Sequence, residues 1–172
     1  FREGAKSDKK VQLMGSGVIL NEVIKAADML KADFGVEADV WSVPSFNLLH
    51  RDAIEVERYN RLHPMEQDKL PFVAQQLQGH EGPVIASTDY IRSFADRIRA
   101  HIPNDYHVLG TDGFGRSDSR ANLRDFFEVD SRHVAVAALS ALADQGKIEK
   151  VVVQQAIEKY GIKTDTAPSW KR

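Results

Sequence analysis

The chain has 172 residues, 42% of them hydrophobic and 28% charged, and its formal net charge is −2. This length fits one domain with a sizeable core, and the even charge balance gives no reason to expect a nucleic-acid or membrane partner. No apolar run is long enough to span a bilayer and no stretch resembles a signal peptide, so we expect a cytoplasmic protein. The absence of cysteine excludes disulfides and thiolate chemistry.

The first elements of the chain predict a strand, a turn and a helix. Residues 1–10 are polar and charged, and we expect them to be a linker from a preceding domain that is missing here. The pattern then predicts a strand over 11–14 and an amphipathic helix that ends near Gly35. Gly15-Ser-Gly17 lies where a dinucleotide-binding loop would lie. The third glycine of that fingerprint is replaced by Leu20, so a structural turn is favoured.

Strands and helices continue to alternate through the middle of the chain. The pattern predicts strands over 38–43 and 84–87 and helices over 52–62, 70–78 and 89–102. His50 and His63 flank the first of these helices. They have no further ligand at tight spacing, so a surface or hydrogen-bonded role is favoured over a metal site.

The densest group of glycines and charges is Gly110-Thr-Asp-Gly-Phe-Gly-Arg-Ser-Asp-Ser-Arg120, which follows a predicted strand at 106–109. Such strand-to-helix turns bind ligands in open α/β sheets, yet we favour charges that pair with one another or with a partner surface. Ser117, Asp118 or Ser119 should cap a helix that buries Leu123, Phe126 and Phe127. The candidates for an interdomain or dimer interface are Asp112, Gly113, Phe114, Gly115, Arg116, Ser117, Asp118 and Arg120.

The last part of the chain predicts two consecutive helices. Asp130 or Ser131 should cap the first, Gly146 should end it, and the second should run over 149–160. Residues 164–172 are expected to form a loose tail. The whole pattern predicts a three-layer α/β domain over 11–163, with a mostly parallel sheet and helices on both faces. No catalytic constellation, cofactor site or metal site is evident in the sequence.

Several segments together resemble a known family. The order of the strand with Gly15-Ser-Gly17, the stretches 36–46 and 86–90, and the string 108–120 is similar to the carboxyl-terminal domain of transketolase-like thiamine enzymes. Within that group, Arg58-Tyr-Asn-Arg-Leu-His-Pro64 and Gly110 to Arg120 resemble the homodimeric bacterial pyruvate dehydrogenase decarboxylating component. The resemblance covers residues 1–160.

The resemblance implies a function that belongs to a larger enzyme. In the family, two other domains bind thiamine diphosphate and Mg²⁺ across a dimer interface, and the enzyme decarboxylates pyruvate and acetylates a lipoyl group. The implied partners are the preceding domains, the second subunit and the dihydrolipoyl acetyltransferase. The implied role here is dimer assembly and support of the active site, with the isolated domain inactive and binding no cofactor.

Two alternatives remain at this stage. One is a non-catalytic docking module for the acetyltransferase core. The other is the equivalent domain of another thiamine-dependent enzyme, such as transketolase, although the string Arg116-Ser-Asp-Ser-Arg120 argues against transketolase.

Overall fold

Four parallel strands form the central sheet of the computed structural model, which describes residues 1–172. The strands are β1 (Lys10–Gly15), β2 (Glu37–Ser42), β3 (Val84–Ser87) and β4 (Tyr106–Leu109). Their order in the sheet is β2-β1-β3-β4, with β1 paired to both β2 and β3. The central strands are covered on both faces, which explains why all four residues of β3 are buried and the first three are apolar. The predicted parallel sheet is confirmed.

Seven α-helices connect and cover the strands. They are α1 (Leu20–Phe34), α2 (Phe46–Leu62), α3 (Phe72–Leu77), α4 (Arg92–Asp96), α5 (Arg120–Phe126), α6 (Ser131–Asp144) and α7 (Lys150–Lys159). Short 3₁₀ turns occupy Gly17–Ile19, Arg99–His101 and Ser169–Lys171. None of the helices has the combined length and apolarity that crossing a bilayer requires.

Two hydrophobic cores lie on opposite faces of the sheet. The larger has 19 buried residues, from one face of the sheet and from α1, α6 and α7; its bulky members include Leu13, Leu30, Ile85, Leu139 and Leu142. The smaller has 11 buried residues, among them Met14, Phe46, Leu77, Ile98 and Tyr106, from α2, α3, α4 and the other face. The predicted arrangement of three layers is therefore confirmed.

Two predicted helices have different bounds in the structure. Helix α2 begins at Phe46 and not at residue 52, because the Ser45 side chain caps it by accepting from Leu48 N. The predicted helix 89–102 is replaced by α4 and a separate 3₁₀ turn. Tyr90 is held before the helix because its N–H donates to Thr88 Oγ1 and its carbonyl accepts from Thr111 N.

Gly15 determines how closely α1 approaches the sheet. A Cβ atom at this position would lie 2.8 Å from Leu20 Cα, so only glycine lets the first turn of α1 pack against the end of β1. The Gly15-Ser-Gly17 segment therefore has a structural function as a tight turn.

Residues 1–4, part of the predicted linker, lie along the outer edge of β2. Arg2 forms an isolated antiparallel bridge with Val40, with both N···O distances 2.8 Å. The Phe1 ring packs against Trp41, with ring centroids 4.2 Å apart. The segment extends the sheet by a short antiparallel contact.

A buried carboxylate, Asp39, fixes this segment to the sheet. Its oxygens accept from Gly4 N at 2.8 Å, Lys10 Nζ at 3.0 Å and Gln12 Nε2 at 2.9 Å, and His80 Nδ1 lies at 2.9 Å. Burial raises the pKa of Asp39, but the hydrogen bonds from His80, Gln12, Gly4 and Lys10 outweigh burial, so its pKa lies below the usual value. Asp39 is therefore charged at neutral pH.

Candidate functional site: the loop at the carboxyl edge of the sheet

The carboxyl ends of β1, β3 and β4 meet at one edge of the sheet. The direction of strand order changes between β1 and β3, which is where open α/β sheets have their ligand crevice. Here Ser16 Oγ donates to Thr88 Oγ1 at 2.8 Å, and both residues are buried. This hydroxyl pair bridges the crevice. The open cavity at this edge lies beside the loop that follows β4.

The beginning of that loop is held by the segment after β3. Thr111 N donates to Tyr90 O at 2.9 Å, and Thr111 Oγ1 donates to Asp89 O at 2.7 Å. Asp112 accepts from both the backbone N and the Nε of Arg92, at 2.9 and 2.5 Å. Because the contacts involve backbone and side chain together, the direction in which the loop leaves the sheet is fixed.

Gly110 makes this contact possible. A Cβ atom here would lie 2.8 Å from both Tyr90 O and Arg92 N. These are backbone atoms, which cannot yield as a flexible side chain does. Glycine at this position therefore permits the close packing of the two segments.

A cavity of about 440 Å³ lies between this loop, the turn after β1 and helix α5. Val18, Ile19, Leu123, Phe127 and Val129 form its apolar part. Its charged lining consists of Asp89, Arg116, Asp118, Arg120 and Arg124. The cavity therefore combines an apolar wall with guanidinium groups, which bind carboxylate and phosphate oxygens, and with two carboxylates.

The four charges of the loop do not pair with one another, so that half of the favoured prediction is wrong, and pairing with a partner surface stays a prediction. Asp112 binds Arg92. Asp118 accepts from Asn122 Nδ2 and from Ser119 N, and the bond from Asn122 lowers the pKa of Asp118. Asp112 is thus bound by a residue distant in sequence, whereas Asp118 is bound by its neighbours Ser119 and Asn122.

The two arginines of the loop have no carboxylate partner. The Arg116 guanidinium lies over the Phe126 ring, 4.1 Å from its centroid, a cation–π contact. The Arg120 side chain makes no hydrogen bond or ion pair and is exposed. Arg124, which also lines the cavity, does have a partner, since its Nη1 lies 2.6 Å from Glu22 Oε1. Arg116 and Arg120 therefore remain available to an anionic partner.

Helix α5 follows the loop as expected, but it is less buried than predicted. Ser119, one of the three predicted caps, accepts from Asn122 N. Leu123, Phe126 and Phe127 are half-buried, and no residue of the helix is fully buried. These side chains are divided between the core, the cavity and the arginines that pack on Phe126.

The last residues of the chain contact the loop, so the expected loose tail does not describe Ser169–Arg172. Ser169 Oγ donates to the carbonyl of Asp112 at 2.5 Å, and the Trp170 ring lies 5.2 Å from the Arg92 guanidinium. Arg172 donates to Phe126 O at 3.0 Å. The 3₁₀ turn at Ser169–Lys171 is held by partners on the loop and α5 that sequence periodicity does not show.

The structure places all eight predicted interface residues on this one loop. Phe114 is 87% exposed, the largest exposed aromatic surface of the loop. Gly113 and the residues from Gly115 to Arg120 are also exposed, while Asp112 is half-buried against Arg92. The loop therefore presents a continuous exposed surface, and its role as an interface remains a prediction.

One cluster of potential metal ligands, Asp125, Asp130 and His133, was not predicted from the sequence. Arg132 donates to both carboxylates, and Asp130 also caps α6. Burial raises the pKa of Asp130, but hydrogen bonds from His133 and Arg132 outweigh burial and hold its pKa well below the usual range. Because one guanidinium already binds both acids and Asp130 caps the helix, the cluster stabilises the start of α6. In the sequence, only the Asp-x-x-His spacing of Asp130 and His133 indicated this cluster.

His63 has the hydrogen-bonded role that the sequence favoured. Its Nδ1 lies 2.8 Å from Tyr59 O, and the two rings stack with centroids 4.0 Å apart. His50 Nδ1 is buried without a partner. Neither histidine belongs to a group of potential metal ligands.

A second cavity, of about 390 Å³, lies at the end of β2 between α2 and α3. It is mostly apolar, and Trp41, Val43, Leu48 and Phe72 are among its lining residues. Leu48 and Phe72 are 63% and 51% exposed. The sequence did not indicate this cavity, because α2 was predicted to begin after Leu48.

The architecture and the site together define a class of protein: a three-layer α/β domain whose elaborated loop lies at the carboxyl edge of a parallel sheet. The chain belongs to the transketolase-like TK C-terminal domain family, whose model matches residues 1–130. The resemblance seen in the sequence is thereby confirmed.

Comparison with individual proteins indicates a narrower group than the family model does. The chain is 60% identical over 163 residues to the pyruvate dehydrogenase E1 component of Pseudomonas aeruginosa, a match that covers 91% of this chain and 18% of that protein. The corresponding proteins of Cupriavidus necator and Escherichia coli K12 are 55% and 53% identical over 94% and 95% of this chain. The chain thus spans about a fifth of the length of these relatives.

A solved structure described as a split gene transketolase, an inactive beta4 tetramer, has a similar fold. The TM-score is 0.54, the identity is 19%, and the match covers 81% of this chain and 42% of that one. This likeness supports the fold alone.

Proposed function

We propose that this chain is the carboxyl-terminal domain of a pyruvate dehydrogenase E1 component, a cytoplasmic thiamine diphosphate enzyme. The observation that carries the proposal is the identity of 53–60% to three proteins of that name over at least 91% of this chain. The whole enzyme would decarboxylate pyruvate and transfer the acetyl group to the lipoyl group of a dihydrolipoyl acetyltransferase.

The domain itself has an architectural function in this proposal. Thiamine diphosphate and Mg²⁺ need a carboxylate free to bind the metal, and the residues of the loop do not fit. Phe114 stands between the two glycines where a ligating acid would be needed. Asp112 is bound by Arg92 and Asp118 by Ser119 and Asn122. This misfit supports our assignment of the cofactor and the chemistry to the other domains.

We assign the loop, residues 112–120, to contact with the preceding domains or the second subunit of a homodimer. Three features support this assignment. The loop is exposed yet held at Asp112 and at the Ser119 cap of α5, its Phe114 side chain is 87% exposed, and both of its arginines lack acid partners. Exposed aromatic and arginine side chains are enriched in protein interfaces.

The test is to replace Arg116 and Arg120 with Ala in the full-length enzyme. The dissociation constant of the dimer should rise about tenfold, or turnover should fall by a similar factor, because charge-assisted hydrogen bonds across the interface are lost. Analytical ultracentrifugation and a decarboxylation assay with an artificial electron acceptor would measure both.

The matched control is Arg61→Ala, since Arg61 is exposed on α2 and has no ion pair or hydrogen bond. Dimer affinity and turnover equal to those of the control would refute the interface role of the loop. Calorimetric titration of the isolated domain with thiamine diphosphate and Mg²⁺ would test the placement of the cofactor elsewhere, and heat of binding would contradict it.

A further inference from the structure

The loop presents an unbalanced charge to its surroundings. By sequence, residues 112–120 contain two acids and two arginines. In the structure Asp112 is bound by Arg92 and Asp118 by Asn122 and Ser119, whereas Arg116 and Arg120 bind no carboxylate. The acids are thus used to build the loop, and the arginines are left for something outside the domain.

Both arginines line the same cavity. Arg116 is positioned by Phe126, over whose ring its guanidinium lies at 4.1 Å. The other charged groups that line the cavity are Arg124, which is neutralised by Glu22, and Asp89 and Asp118. Asp118 accepts hydrogen bonds only from the uncharged Asn122 and Ser119, so it keeps its charge, and neither Asp89 nor Asp118 forms an ion pair with Arg116 or Arg120.

The surroundings of the cavity indicate a protein occupant. Phe114, which is 87% exposed, belongs to the same loop, and the cavity wall includes Val18, which is 49% exposed. An exposed aromatic ring on the same loop as two arginines without acid partners is a composition that is enriched in protein interfaces. A site for a small free anion has no need of the exposed phenyl ring.

We propose that this cavity receives a carboxylate side chain from an acidic segment elsewhere in the assembled enzyme. The inference rests on the proposed function, because it names the chemistry of the surface that the loop contacts. Arg116 and Arg120 would bind the carboxylate by charge-assisted hydrogen bonds, and Phe114 would pack beside it.

Carbodiimide coupling tests the proposal directly. In the full-length enzyme, Arg120→Lys keeps the positive charge and introduces a primary amine. The carbodiimide activates a contacting carboxyl group, the amine displaces the activating group as a urea, and an amide bond remains. Mass spectrometry of the digested protein should show a link from position 120 to an Asp or Glu outside the 172 residues.

The control for the coupling is Arg61→Lys on α2, which should give no such link. A link from position 120 only to Asp89 or Asp118, or no link at all, would overturn the proposal. In that case, protection of Arg116 and Arg120 from phenylglyoxal by inorganic phosphate would identify the cavity as a site for a small free anion.

A separate experiment distinguishes failure of the inference from failure of the proposed function. A photoreactive benzoylphenylalanine in place of Phe114 reports any neighbouring protein surface, whatever its charge. A photo-cross-link to another domain or subunit without an amide link at position 120 would keep the interface and exclude the acidic partner. Absence of both links would exclude the interface as well.

Discussion

At the scale of single residues, Gly110 controls the loop most directly. It is the point where the chain leaves β4 and passes the segment after β3, and a Cβ there would lie 2.8 Å from two backbone atoms. Relief of that contact would require Tyr90 or Arg92 to move, and both hold the beginning of the loop through hydrogen bonds.

Replacing Gly110 with Ala should therefore lower the free energy of unfolding by about 1–3 kcal/mol, the usual cost of overpacking. Gly115→Ala is the matched control, because a Cβ at Gly115 meets no atom within 4 Å. Its effect should stay within about 0.5 kcal/mol. Urea unfolding followed by circular dichroism measures both, and equal losses would show that the close approach at Gly110 does not matter.

Sequence reasoning located this loop correctly but did not find its ion pairs. Its glycines and charges are visible as a local pattern, so the position of the loop followed from the sequence. The partner of Asp112 is Arg92, which is 20 residues away on another connection. This pair depends on how β3 and β4 lie beside each other, whereas the partners of Asp118, Ser119 and Asn122, are its neighbours in sequence.

At the scale of elements, the buried Asp39 carboxylate connects four separate segments. It lies on β2 and binds Gly4 on the edge segment, Lys10 and Gln12 on β1, and His80 in the connection before β3. Each of the two carboxylate oxygens interacts with two of these four groups, so both oxygens must be acceptors. The edge segment is thus joined to the sheet by a side chain as well as by the bridge at Arg2.

Replacing Asp39 with Asn should cost about 3 kcal/mol of stability at pH 7, as is typical when one partner of a buried ion pair is removed. One oxygen becomes an amide donor that faces other donors, and Lys10 loses its counter-charge. Asp28→Asn is the control, because the Asp28–Arg2 pair is exposed and should contribute less than about 1 kcal/mol. Chemical unfolding of both variants gives the comparison.

The effect of Asp39 should also depend on pH in a defined direction. Its pKa is lower in the folded than in the unfolded protein, so the unfolded state takes up the proton first on acidification. The stabilisation is complete above the unfolded pKa and is lost as pH falls through the folded pKa. The difference in the free energy of unfolding between the wild type and Asp39→Asn should become smaller below about pH 4. A difference that stays constant with pH would contradict this account.

The predicted helices and strands agree with the structure where residues close in sequence determine them, and disagree where distant residues do. The strand over 84–87 was predicted with the observed bounds, because four consecutive apolar or small residues between turns have few alternatives. The predicted helix over 89–102 was wrong, because a hydrogen bond from the distant Thr111 to the Tyr90 carbonyl keeps Tyr90 outside a helix. The cavity beside Phe72 was missed because it arises only where two helices meet a strand end.

At the scale of the whole molecule, the two ends of the chain pack against opposite parts of the domain. Residues 1–4 lie along β2, while Ser169 and Arg172 contact the loop and α5. The second contact joins the end of the chain to the site proposed for the interface. The loop is therefore stabilised by residues more than fifty positions away in sequence.

Removal of residues 168–172 should loosen the loop without unfolding the sheet. The hydrogen bond from Ser169 to Asp112 is lost, and the amides of residues 111–120 should exchange with solvent about five- to tenfold faster. Amides of β1 and β3 should be unchanged, which provides an internal control. Hydrogen exchange measured by mass spectrometry tests this, and unaltered exchange in the loop would show that the contact contributes nothing.

The position of Trp170 has a practical consequence. The protein has two tryptophans: Trp41 is packed against Phe1 and His80, and Trp170 is 51% exposed beside the loop, near Arg92. In a Trp41→Phe variant all indole fluorescence of this domain would come from the neighbourhood of the loop. Its emission wavelength and its quenching by iodide would then report association at this surface in solution, without any attached dye.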